Sequence, residues 1–108
     1  MKRTYLQSVR HIITHADCPD GLASAMILKD ALPGASIEFV QYSSPEHVDM
    51  IAKEGMLFCD FTPHRPRVAE FVEAGAIVLD HHRGAEDIVA AFGERGVFAD
   101  EKSEPGVS

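Results

Sequence analysis

Three short stretches carry side chains suited to metal and phosphate chemistry. His15, Asp17 and Asp20 fall within residues 14–25 (THADCPDGLASA), Asp60 follows the apolar run 56–59 (MLFC), and Asp80-His81-His82 follow the run 76–79 (AIVL). Carboxylates and imidazoles without clustered thiolates suit hard or borderline divalent ions such as Mn2+ or Mg2+ better than a structural zinc. Two such ions held about 4 Å apart need one carboxylate to bridge them and several terminal ligands. Asp60, with no other acid beside it, is a natural bridge. Cations held in this way acidify a water molecule and clamp phosphoryl oxygens, so no separate nucleophilic side chain is required.

For these residues to meet, the elements before them must deliver them to one place. Apolar runs rich in strand formers alternate with helix-like stretches, the pattern of a parallel α/β sheet. The sequence predicts strands over 10–14, 37–42, 56–59 and 76–79, with a short fifth near 97–99. It predicts helices over 21–32, 45–53, 62–74 and 85–92. The expected fold is therefore a three-layer α/β/α domain over residues 1–108, doubly wound, with a mainly parallel sheet. In such a sheet the carboxyl ends of the strands share one edge, which is where ligands bind. All three chemical stretches follow directly after a predicted strand.

The bulk composition sets limits on function. A chain of 108 residues that is 45% hydrophobic can bury one core. It contains no apolar run of membrane-spanning length and no basic-then-apolar leader, so a non-membrane protein is expected. Two cysteines, Cys18 and Cys59, are too few for a disulfide framework and suit a reducing cytoplasm. The net charge of −7 argues against a surface that grips long duplex nucleic acid. An acidic chain that takes anionic substrates needs bound cations to invert the local field.

The motifs T-H-A-D-C-P-D-G-L-A-S-A at 14–25, C-D at Cys59-Asp60 and L-D-H-H at 79–82, in that order, resemble the DHH phosphoesterase superfamily in its C-P-D-G branch. That group includes manganese pyrophosphatases, oligoribonucleases, cyclic-dinucleotide phosphodiesterases and single-strand exonucleases. The resemblance implies that His15, Asp17 and Asp20 are terminal metal ligands, Asp60 the bridge and His81 a ligand of the second ion. Asp80 would orient a metal-bound imidazole, and His82 would face the substrate phosphate. Gly21 would let a helix start approach phosphate or packing neighbours closely, Arg83 next to the histidine pair would contact phosphate or lie on plain surface, and Ser108 ends an S-E-P-G-V-S loop similar to one that helps hold phosphate. The implied cofactor is a pair of Mn2+ ions, with Mg2+ or Co2+ as alternatives. The implied substrate is a phosphate-containing small molecule or short oligonucleotide, and a homodimer is compatible with the pattern.

The chain departs from the family in two ways. Its first motif reads H-x-D-x-x-D, which leaves the division of Asp17 and Asp20 between the ions open. A fourth-motif aspartate and a carboxy-terminal substrate domain are not in the sequence, so this is expected to be the first part of a longer enzyme. Plainer readings stand beside these. Asp60 could cap a helix opened by Pro63; His64, Arg65 and Arg67 could be a solvated helix face; His11 and His47 could be structural or exposed. The rival functions are a non-catalytic nucleotide- or metal-binding module and, from another class, a phospho-receiver domain with Asp60 as acceptor.

Overall fold

The computed structural model describes residues 6–16, 19–80 and 83–98, with the backbone alone at 19–22, 24, 25 and 83. Its centre is a five-stranded sheet in the order β2-β1-β3-β4-β5, with every neighbouring pair parallel. The strands are β1 (His11–His15), β2 (Ser36–Val40), β3 (Met56–Cys59), β4 (Ile77–Asp80) and β5 (Gly96–Phe98). Between them run α1 (Pro19–Ala31), α2 (Pro45–Val48), α3 (Val68–Glu73) and α4 (Glu86–Ala91). The order reverses between β1 and β3, the switch point at which doubly wound sheets open a crevice for ligands.

β3 is apolar throughout, as are Ile12 and Ile13 of β1 and residues 77–79 of β4, because both faces of these strands are covered. On one face Ile12, Leu57, Cys59 and Ile77 gather with Leu28 of α1 and with Leu32 just after it. On the other, Ile13, Phe58 and Val78 pack with Phe71 of α3 and with Ile88 and Val89 of α4. Layers of helix therefore lie on both sides, as expected. Gly96 shows how closely α4 approaches: a Cβ there would lie 2.1 Å from the Val89 carbonyl oxygen, so no side chain fits. Among the described residues no helix is long and apolar enough to cross a membrane.

Two helices are shorter than the sequence predicts. The helix expected over 45–53 begins as foreseen, with Ser44 Oγ accepting from the His47 amide at 3.2 Å, but ends at Val48. Met50 and Ala52 then turn in against the core as irregular chain. The helix expected over 62–74 starts later, as a 3-10 turn at Arg65–Arg67 that leads into α3. His64, at φ −57° and ψ 127°, is outside helical backbone, and Pro66 falls in the first turn, where its missing N–H needs no partner. Phe61, Thr62 and Pro63 remain extended and buried, which removes the reading of Asp60 as a cap for a helix opened by Pro63. Glycine ends α3: Gly75, at φ +80°, and Ala76 donate to the carbonyls of Val72 and Phe71, closing a Schellman motif.

Candidate functional site

The parallel register sets the strand tips side by side. Thr14 lies across from Cys59, and Cys59 across from Leu79, so His15, Asp60 and Asp80 follow at one level of the carboxyl edge. The Asp60 amide donates to the Leu79 carbonyl at 2.8 Å and locks the β3 tip to β4. Asp60 and Asp80 are almost completely buried, at 4% and 3% exposure. Thr14 beneath them is fully buried, and its hydroxyl has no hydrogen-bond partner among the described residues.

Asp60 has a second peculiarity. Its backbone is left-handed, at φ 58°, a conformation few residues other than glycine adopt without cost. Aspartate tolerates it better than most, because its short polar side chain can bond locally. Residues held in this way concentrate at ligand clamps, where surrounding structure imposes the geometry. The turn aims the chain inward, and Phe61 lands in the core against four rings: Tyr42 at 4.4 Å, His47 at 4.8 Å, His15 at 6.0 Å and Phe58 at 6.4 Å.

Tyr42, which the motifs do not contain, belongs to this edge. Its ring meets His15 edge-on at 5.0 Å. Burial raises the phenol pKa above its ordinary value. Hydrogen bonding to Thr62 opposes that rise, while the negative charges of Asp80 and Asp60 add to it. The phenol thus stays protonated beside the two acids. Its position was readable in one respect: it closes the predicted strand 37–42 and so falls at the same edge as the acids.

His47, read from sequence as structural or exposed, is structural. Its Nδ1 accepts from the Ser43 amide at 2.9 Å, and its Nε2 lies 2.9 Å from the Thr62 carbonyl. This pairing requires a neutral ring with the proton on Nε2. The imidazole pins the loop after β2 to the loop after β3. Burial lowers its pKa, the Thr62 carbonyl opposes that, and His64 nearby lowers it further. Because the folded pKa lies below the unfolded one, the pin contributes fully above about pH 6.5 and is lost as the pH falls through the folded value. His47→Leu should lower stability by about 1–3 kcal/mol at neutral pH by stranding its two backbone partners. The deficit should shrink on acidification, which paired melting curves between about pH 5 and pH 8 would test. A deficit that does not vary with pH would contradict this assignment.

His15, Asp60 and Asp80 are therefore the nominated residues brought together among those described. Asp20 and Gly21 lie on the backbone of the first turn of α1, and Arg83 opens the 3-10 turn Arg83–Ala85 before α4. Asp17, His81, His82 and Ser108 lie outside the described residues. Among the described residues no three of His, Cys, Asp and Glu form a metal-binding group. The two buried carboxylates and the imidazole on adjacent strand ends are of the ligand types that hard or borderline divalent cations take.

Beside this edge opens a pocket of about 370 Å3, lined in part by Tyr42, Thr62, His64, Arg65 and Ile88. Arg65 is exposed. It pairs with Asp87 and donates to the Gly84 carbonyl at 3.1 Å, tying the loop after β3 to the loop after β4. Arg67 forks onto Glu70 at 3.0 and 2.8 Å and reaches the Val48 carbonyl at 2.8 Å. Comparison of the chain with protein-family models, with curated proteins and with solved structures finds no match.

Proposed function

We propose that the chain is the metal-binding core of a DHH-type phosphoesterase, which hydrolyses phosphate esters of nucleotides or short oligonucleotides in the cytoplasm. The observation that carries this reading is Asp60: a nearly buried carboxylate in left-handed backbone, at the tip of β3, hydrogen-bonded by its amide to β4. That is where a carboxylate bridging two cations would have to stand. His15 on the neighbouring tip would hold one ion, with Asp17 and Asp20 following it in sequence; His81 would hold the other. Bound Mn2+, or Mg2+ or Co2+ in its place, would supply charge to the phosphoryl oxygens and a more acidic water.

The chain's own residues do the rest. Asp80 would orient a ligating imidazole by accepting its distal N–H. The protonated Tyr42 phenol offers a neutral donor beside the acids, and Phe61, fully buried behind His15, helps exclude bulk water from one side. His82 and Arg83 would face the phosphate.

The test is release of nitrophenolate from a chromogenic phosphodiester by the protein with Mn2+, before and after chelation with EDTA. Turnover that disappears with the metal is expected. Binding of metal without turnover would leave the non-catalytic module as the better reading. A phospho-receiver shares the β2-β1-β3-β4-β5 order and an aspartate after β3. Stable phosphorylation of Asp60 by a small phosphodonor with one Mg2+ bound would favour that reading instead.

A further inference from the structure

The pocket beside Tyr42 differs in charge from the chain around it. The sequence holds 17 acids against 10 lysines and arginines, yet no carboxylate is among the described residues that line this pocket. Its lining combines flat or apolar surfaces (Tyr42, Pro63, His64, Ile88) with hydroxyl and backbone groups. At about 370 Å3 it falls within the span of roughly 300–1,000 Å3 usual for small-molecule sites, which are mostly apolar with a few placed polar groups.

Two of its polar side chains already hold backbone or side-chain partners. The Arg65 guanidinium is held in place by Asp87 and by the Gly84 carbonyl, and its side chain is more than half exposed, which leaves a flat face for stacking. His47 uses both ring nitrogens on backbone partners. A flat ring would find surfaces to stack on in Tyr42, His64 and Arg65. Tyr42 joins the pocket to the acid edge: its ring touches His15 and also lines the cavity. A molecule with its phosphate at the strand tips could therefore place a directly attached group in the pocket.

We infer that this pocket takes the heteroaromatic ring of a phosphate ester whose phosphate is held at the His15–Asp60–Asp80 edge. The inference rests on the phosphoesterase reading and adds to it the part of the substrate that is recognised and the surface that recognises it. The probes are adenosine 5′-monophosphate and ribose 5-phosphate, which carry the same phosphate with and without a ring. Each is titrated calorimetrically into the protein with saturating Mn2+.

The ring-bearing probe should bind about tenfold more tightly, a modest return for stacking one base on aromatic side chains. Two substitutions should each bring that preference to within about twofold while leaving ribose 5-phosphate unchanged. His64→Ala removes a ring from the lining. Gly84→Val fills space from a position where an added Cβ meets nothing within 4 Å. Equal affinity of the two probes for the parent protein overturns the ring site and leaves the phosphate site standing. A tenfold preference that survives both substitutions places ring recognition elsewhere and also overturns it. Failure of both probes to bind overturns the inference together with the phosphoesterase reading.

Discussion

Asp60→Asn should leave the chain folded and abolish the rise in melting temperature that saturating Mn2+ gives the parent protein. Metal at a hundredfold excess over its Kd stabilises the native state by about 2.7 kcal/mol. In a chain of this size that corresponds to a shift on the order of 10 °C. Asparagine keeps the side chain's shape and its tolerance of φ 58°, so the apo protein should melt close to the parent. It cannot, however, supply the negative charge that a bridging ligand needs. Asp60→Gly sharpens the test, because it relieves a left-handed conformation that costs an L-residue roughly 1–2 kcal/mol. The glycine variant without metal should therefore melt at or above the parent and show no response to Mn2+. Thermal melts with and without millimolar Mn2+ decide the matter. A parent protein indifferent to Mn2+, or an Asp60→Asn variant that still responds, would remove Asp60 from the metal site.

Phe61→Ala should be the most damaging core substitution near the site, costing about 3–5 kcal/mol. A domain of this kind has only about 5–15 kcal/mol of net stability, so the loss is a large fraction of the total. Phe61 is fully buried and touches the rings of His15, Tyr42, His47 and Phe58. Its removal opens a cavity and also frees the side chains that shape the edge. Phe61→Leu, closer in volume, should cost less than about 1.5 kcal/mol but should still weaken the Mn2+ response, because the ring behind His15 is gone. Urea unfolding measures the first effect and calorimetric metal titration the second. A Phe61→Ala midpoint indistinguishable from that of the parent would contradict the packing described.

The elements of this fold were legible where local chemistry and tertiary structure agree. The apolar runs at 56–59 and 76–79 became β3 and β4 because a parallel strand buried on both faces has no polar alternation to disguise it. The helix expected over 62–74 begins later because Phe61, Thr62 and Pro63 are buried and belong to the core rather than to a helix face. The acids at the edge were legible by position, each following directly after a strand. The left-handed turn at Asp60 was not, since only glycine advertises that conformation in a sequence. His47 was read only as structural or exposed because its role depends on the Ser43 amide and the Thr62 carbonyl, partners set by tertiary structure and not by spacing. Tyr42 was passed over as a neutral residue; its place beside the acids follows from the sheet order.

An inner strand of the sheet, β1, precedes both of its neighbours in the chain. β1 is flanked by β2 and β3, so during synthesis Ile12 and Ile13 have no lasting shelter until the ribosome has passed Cys59. No hairpin can form early to stand in, because every pairing in the sheet is parallel and each requires a crossover. Assembly must therefore wait for distant segments to meet, a slow route that leaves apolar chain exposed while it lasts. The arrangement that gathers the acids at one edge also ties folding to contacts between segments distant in the chain.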